Sequence, residues 1–430
     1  MEDLNKKLNK YKRGSFMSIK KRYISLAIAS LLSSQSYAAG FQVSEHSASG
    51  LGRAFAGEAA IADDASVIGR NPAAMTHFKQ AEFSGALSVI NPSIDIYDHT
   101  WDQGAEDVAP IAFVPAGYYV HPVNDQLAVG LAMFSNYGVT TDYPTDFNAG
   151  SLAGKTSLLT VNLNPSVAYK LTPQLSIGGG VSLVYGKAEL NRHLGSLSIA
   201  VPDSNPSDKT ISMEGDTWAW GWNIGAFYEL NENNRFGLSY RSQVDLDFDG
   251  DFTDYLGAIT GKPNNTITGS LSVPLPAIAE FSGFHQLNKQ WALHYSLQWT
   301  QYSKFKELRA TSSECKPGYN GQSGVCLLKE EDYDDTYRWA IGTTYTLNPL
   351  WTLRAGFAFD EQAGKPTLSI PDTDRYWYSA GATYHYNQHL SFDAGFSFIY
   401  SSKATFTEDS STFTSKGKAY LAAVQANYKF

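Results

Sequence analysis

The chain lacks the features that would make it a helical membrane protein, a metal site or a hydrolase. Nowhere in its 430 residues is there an apolar run of the roughly 18 to 20 residues that a membrane helix needs. There are two cysteines, Cys315 and Cys326, both in the polar stretch SSECKPGYNGQSGVCLL. Two thiols with no His nearby and no second Cys pair do not make a zinc site. In an exported chain such a closely spaced pair is expected to oxidise and to pin an exposed loop. The nine histidines are scattered and no nucleophile elbow accompanies them, so neither a catalytic triad nor an enzyme is expected. No cofactor or metal is expected either.

Positive charge is scarce once the N-terminus is set aside. The stretch MSIKKRYISLAIASLLSSQSYA has a basic start, an apolar centre and a small-x-small end at Ser36-Tyr37-Ala38, the pattern of a secretion signal starting at Met17 and cut before Ala39. Residues 1–38 hold eight Lys/Arg and two Asp/Glu, so the remainder carries a net charge of −15. That balance argues against nucleic acid as a partner.

What the chain has in quantity is strict two-residue alternation. In TWAWGWNIGAFYEL one face carries Trp218, Trp220, Trp222, Ile224, Ala226, Tyr228 and Leu230; the other carries Thr217, Ala219, Gly221, Asn223, Gly225, Phe227 and Glu229. The pattern recurs in LSIGGGVSLVYGK, WALHYSLQW, LWTLRAGFAF and LSFDAGFSFIY. A greasy face opposite a small or polar one is the signature of a strand with lipid outside and a polar interior. About fourteen such segments run from AEFSGALSVI to the end of the chain. Short Asn/Pro/Asp turns such as HPVND, NENN and NP alternate with long links such as Ala188–Asp216 and Ser303–Asp335, as expected for an outer-membrane barrel with both termini on the short-turn rim. The last segment, KAYLAAVQANYKF, ends on an aromatic residue and reads as a closing strand. The 26 tyrosines fit aromatic girdles at the two interfaces.

Residues 39–80 have no such alternation. They are rich in Gly, Ala and Ser with a few charges, Glu45, Arg53, Glu58, Asp63, Asp64 and Arg70, which suits a plug packed inside a polar lumen. SGLGRAFAG places its third Gly one residue too late for a dinucleotide loop. The domain reading is therefore 1–38 extension and signal peptide, 39–80 plug, 81–430 barrel. DLDFDGDFTDYL matches the first half of a calcium loop but has Leu256 where a bidentate Glu is required. It is read instead as a strand end with Asp245, Asp247 and Asp249 facing the lumen.

AGFQVSEHSASGLGRAFAGEAAIADDASVIGRNPAAM resembles the N-terminal hatch of the outer-membrane long-chain fatty acid transport proteins, the FadL family. The similarity continues through FSNYGV, RSQVDLDF, QWALHYSLQWTQYSKFKELRATS, YRWAIGTTY and SIPDTDRYWYSAG to the terminal strand, and covers essentially the whole chain beyond the leader. The resemblance implies an all-β fold, a 14-stranded antiparallel transmembrane β-barrel with an N-terminal hatch in its lumen. It implies passive, ligand-gated uptake of long-chain fatty acids across the bacterial outer membrane, with lateral release through the wall; neutral or aromatic hydrophobic compounds are the alternative cargo. The expected surroundings are outer-membrane lipid and lipopolysaccharide, and a monomer is expected.

By the same resemblance Asn71, Pro72 and Ala73 are the hatch motif, and Arg192 and Lys329 meet the cargo carboxylate. Asn136 and Gly138 mark an inward kink of the third strand. On the residues alone, other readings stay open. Asn71-Pro72 is also a turn starter. Arg192 and Lys329 are also cations that snorkel toward lipopolysaccharide phosphates. Gly138 is also a plain strand end. The sequence departs from a bare cation site in having Glu330, Glu331 and Asp332 directly after Lys329, and the link between Ala188 and Asp216 is shorter than usual in the family.

Overall fold

The alternating segments become the wall of one closed ring. In a computed structural model, which describes residues 40–317 and 322–430, fourteen antiparallel staves follow one another in chain order. Staves 1 and 2 are Glu82–Asp98 and Ala112–Pro122, and stave 3 is Leu127–Phe134 continued by Gly138–Asp142. Staves 4 to 6 are Gly154–Lys170, Leu175–His193 and Lys209–Asn231. The next four are each made of two pieces: Asn234–Arg241 with Val244–Asp254, Asn265–Leu275 with Ile278–Gln286, Trp291–Thr300 with Glu307–Thr311, and Val325–Glu330 with Thr336–Asn348. Staves 11 to 14 are Trp351–Asp360, Arg375–His385, Leu390–Glu408 and Ser411–Lys429. Stave 14 pairs with stave 1 from Glu82↔Lys429 to Asp98↔Phe413, which removes the edge that hydrocarbon would not tolerate. The leader expected over residues 1–38 lies outside the described residues.

The strands run further than the lipid-facing pattern indicated. Residues 401–418, where the lipid-facing alternation lapses, form a continuous hairpin whose turn is Asp409-Ser410, both in the left-handed region. The link expected over Ala188–Asp216 shrinks to residues 194–208. Beyond the lipid belt the chemistry of the two faces inverts while the geometry does not. On stave 6, Trp218, Trp220 and Trp222 face outward, and so do Asp216 and Glu214 above them; the inward positions change from Asn223 and Gly221 to Met213 and Ile211. Stave 7 repeats the inversion, and here the sequence reading is corrected. Asp245, Asp247 and Asp249 face outward into water, and Leu246 and Phe248 are buried inside the ring. A strand that has left the membrane has water outside, so its apolar residues point in.

Staves on several sides of the ring bond to residues 40–80. The Ala48 N–H donates to Gln425 Oε1 (2.9 Å), that of Gly57 to Ser296 Oγ (2.8 Å) and that of Ala65 to Ser84 Oγ (3.1 Å). Thr76 Oγ1 donates to Ser176 Oγ (2.7 Å). Ion pairs add to this. Arg53 holds Glu58 (2.8 Å) and Asp63 (3.0 Å), and Asp63 is shared with Arg354 of stave 11 (3.2 Å). The small inward residues of the wall now have a reason. A Cβ on Gly237 would lie 1.9 Å from the Ala59 carbonyl oxygen, and one on Gly225 would lie 1.9 Å from Asn71 Oδ1.

Two outcomes follow. Gly225→Val pushes Asn71 off the wall, and is expected to raise single-channel conductance in planar bilayers while the barrel keeps its heat-modifiable migration. Unchanged conductance would mean that this seat does not hold the segment. In the upper wall, Leu246→Ala is expected to cost about 2–5 kcal/mol in detergent unfolding, whereas Asp247→Leu changes stability by no more than about 0.5 kcal/mol. The reverse order would place the lumen on the wrong side of stave 7.

Candidate ligand site

In the upper half of the ring the inverted faces enclose an apolar cavity. Leu158, Leu190, Met213, Phe248 and Phe252 line it from the staves, and Phe41 closes it from the leading segment. The space among the lining side chains, mouth included, is about 810 Å³. Phe41 is fixed by an aromatic cluster, with ring centroids 5.5 Å from Tyr137, 5.4 Å from Tyr302 and 5.1 Å from Phe305. Its N–H donates to Tyr302 Oη (3.1 Å), and the Gly40 N–H bonds to the Asp372 carboxylate.

The two cations proposed for a carboxylate meet at the edge of this cavity, on one hydroxyl. Arg192 Nη2 donates to Ser369 Oγ (3.0 Å) and to Thr156 Oγ1 (3.1 Å), and Lys329 Nζ donates to the same Ser369 Oγ (2.9 Å). Thr156 and Ile370, the latter next to Ser369, belong to the cavity lining. Lys329 is also paired with Glu408 (3.1 Å) and Glu331 (3.5 Å), so two acids balance the two cations. Glu331 is fully buried as a side chain, and both its oxygens lack a hydrogen-bond partner. Burial raises its carboxyl above the ordinary carboxylate range, against the opposing pull of Lys329.

Cys315 and Cys326 form a disulfide, and both are buried among Leu190, Ile211, Met213 and Phe252 rather than on an exposed loop. Cys326 lines the cavity. The polar flanks of the pair gave no sign of this, because the apolar partners come from staves 5 to 7.

The third stave breaks where Asn136 and Gly138 stand. Its ladder with stave 2 ends at Gly117↔Met133, while Ala112–Ala116 continue their ladder with stave 1. The leading segment covers the break from inside: the Val43 N–H donates to the Asn136 carbonyl (2.7 Å) and the Gly138 N–H to the Phe41 carbonyl (2.8 Å). Asn71, Pro72 and Ala73 lie away from the cavity, against staves 5 and 6. Asn71 Nδ2 donates to the carbonyls of Ala59 (2.8 Å) and Ala226 (3.0 Å), and Asn71 Oδ1 caps the short turn Pro72–His77 through the Ala73 N–H (3.1 Å). Sequence reasoning missed Phe41, Ser369 and Glu408. Phe41 alone carried a signal, as an isolated aromatic at the start of a segment otherwise made of small residues.

The comparisons with known proteins agree with this architecture. The profile of the outer membrane protein transport protein family (OMPP1/FadL/TodX) matches residues 29–430. A long-chain fatty acid transport protein of Escherichia coli O6:H1 is 41% identical over 448 aligned positions, covering 95% of this chain and 98% of its own. Outer membrane protein P1 of Haemophilus influenzae Rd is 39% identical over 461 positions, covering 94% and 98%. Among solved structures, a Pseudomonas aeruginosa FadL homologue aligns with a TM-score of 0.78 at 23% identity, over 91% of this chain and all of that one. The P. putida toluene transporter TodX aligns with a TM-score of 0.70 at 17% identity, over 93% and 99%. At those identities the two structures speak for the fold. With a closed fourteen-stave wall and near-full-length similarity together, the chain belongs to the outer membrane protein transport protein family, OMPP1/FadL/TodX, and is an outer-membrane β-barrel.

Proposed function

We propose that this barrel takes up long-chain fatty acids passively across the bacterial outer membrane, the cargo itself releasing a hatch formed by residues 39–80. The observation that carries the reading is the convergence of Arg192 and Lys329 on Ser369 at the edge of an apolar cavity. Burying each methylene is worth about 0.8 kcal/mol, so the tail supplies the affinity and the cations orient the head. The cargo carboxylate takes the place of Ser369 Oγ between the two cations, and the tail displaces Phe41 from the cavity floor.

Phe41 and Val43 are bonded to the broken third stave, so a shift of Phe41 loosens the cover over that break. An apolar molecule then leaves sideways into lipid, where its tail avoids water. The shift must also reach Asn71-Pro72-Ala73 for the hatch to move as a unit, and it does so only if cargo binds the open arrangement more tightly than the closed one. No chemical step is involved, and the protein acts as a monomer among lipid and lipopolysaccharide. The similarity to long-chain fatty acid transport proteins supports the choice of cargo. One observation favours neutral hydrophobic cargo instead: Lys329 already has two carboxylate partners.

A charge reversal separates the two. Arg192→Glu is expected to lower oleate uptake by about tenfold, equivalent to about 1.4 kcal/mol, and to leave a neutral hydrocarbon unaffected; equal uptake of oleate would favour the neutral cargo. The pH dependence has a definite sign. As pH falls through the raised Glu331 titration, that carboxylate neutralises, the site gains one net positive charge and oleate binding tightens. Glu331→Gln is expected to give the tighter binding at every pH and to remove this dependence, as read by isothermal titration of the detergent-solubilised protein.

A further inference from the structure

Below the apolar cavity, beyond the partition made by Tyr137, Val184 and Val244, lies a second, smaller space. Its lining includes a buried cation with no acid to answer it. Arg241, on the lower piece of stave 7, donates from Nη1 to Ser182 Oγ (3.0 Å) and from Nη2 to the Gly69 carbonyl (3.1 Å). Its guanidinium stands over the Phe134 ring, 5.1 Å from the centroid. None of these partners is charged. The charge that acts on it is the like charge of Arg70, itself paired with Glu280. Among the described residues it has no ion pair, whereas the buried Arg53, Arg338, Arg354 and Arg375 each hold a carboxylate.

A desolvated guanidinium without a counter-ion is costly. The same space contains a second unsatisfied group, the buried Asn162, whose Oδ1 has no partner; turning that amide over would offer its N–H donors to an anion. The space also borders a gap in the ladder of the wall. Between staves 6 and 7 the ladder runs to Asn223↔Arg241 and resumes only at Asp216↔Asp249, so residues 217–222 and 242–248 are unpaired across the gap apart from Ser242 on Trp222. Trp222 lines the space from the lipid side, where it is 48% exposed. A long tail therefore has an apolar path along the break while its head stays inside.

We propose that Arg241 is an inner carboxylate-binding residue for the cargo, and that the arriving carboxylate displaces the Gly69 carbonyl from its guanidinium. This rests on the uptake reading above and deepens it. A carboxylate brings the counter-charge that the Gly69 carbonyl lacks, and in a low-dielectric interior opposite charges attract strongly, so the exchange runs toward the cargo. Gly69 lies two residues before Asn71, so its release removes a tie between the wall and the hatch motif.

The test compares uptake of radiolabelled oleate and of methyl oleate by cells that lack their own fatty-acid uptake protein and express the full chain. Arg241→Gln is expected to lower oleate uptake by about tenfold or more, with methyl oleate within about twofold of wild type; Arg241→Lys keeps the wild-type preference for oleate. Unchanged oleate uptake in Arg241→Gln overturns the assignment. A parallel fall for both compounds also overturns it, since Arg241 would then only brace the hatch. Should Arg241→Gln fail to reach the membrane, Arg241→Lys decides by the oleate to ester ratio: retention supports the site and loss of oleate preference removes it. If the wild type takes up no oleate, the uptake reading itself fails and this assignment falls with it; if the wild type does and Arg241→Gln equals it, only this assignment fails.

Discussion

A strand in hydrocarbon must pair every backbone N–H and C=O, and the rest of this molecule follows from how that demand is met and where it is not. Stave 14 closes on stave 1 along the whole length of stave 1. Against such a ring, any interruption carries a cost of several kcal/mol per unpaired group. The interruptions that persist are therefore informative. At stave 3 the missing partner is supplied by the leading segment, through Val43 on Asn136 and Gly138 on Phe41. At stave 7 it is supplied by Ser242, whose backbone and hydroxyl both serve Trp222. The first substitute belongs to the leading segment, the second to the wall itself. On the proposed uptake route, that difference separates a break that can open from one that stays a fixed crevice.

How the leading segment is held sets what it costs to shift it. It meets the wall through hydroxyls, amides and ion pairs and also through apolar clusters, Ile68 and Met75 with Tyr118 and Phe134, and Leu51 and Phe55 with Trp377, while glycines such as Gly225 and Gly237 admit its backbone. Below it, a polar space of about 1060 Å³ lies on the short-turn rim, lined by Asp63, His77, Arg235 and Arg354 among others. Buried ion pairs contribute little net stability but fix register, because one misplaced charge is left unpaired. Arg53, Asp63 and Arg354 thus define one seat for the segment.

The wall was largely legible in the sequence and the interior was not, for a physical reason. Alternation is a local property, so Trp218, Trp220 and Trp222 reveal the lipid face without reference to any other strand. The same rule misled above the membrane: Asp245, Asp247 and Asp249 keep strict alternation, but a local pattern does not say which side is water. The disulfide pairing was legible because only two cysteines exist; its burial depends on Leu190, Met213 and Phe252, more than fifty residues away in sequence. Arg192 and Lys329 were recoverable from resemblance, but their meeting on Ser369 is a contact among three distant segments. Arg241 gave no signal, since a lone Arg at a strand end reads as an interface cation until its surroundings show that no acid is near.

The charge arrangement gives the proposed route a direction. At the upper site two cations face Glu331 and Glu408, so the net field on an incoming carboxylate is small and the head group is held loosely. Further in, Arg241 faces only neutral acceptors and aromatic rings. In a low-dielectric interior an uncompensated charge acts far more strongly than one already paired. A carboxylate that has lost its water at the first site therefore gains more at the second, while its tail remains among Phe248, Val244 and Trp222 throughout. Apolar burial keeps the molecule inside the wall and the uneven neutralisation of the cations moves its head inward. The partition at Tyr137, Val184 and Val244 stands between the two, and Tyr137 packs on Phe41, whose carbonyl helps to seal the third stave.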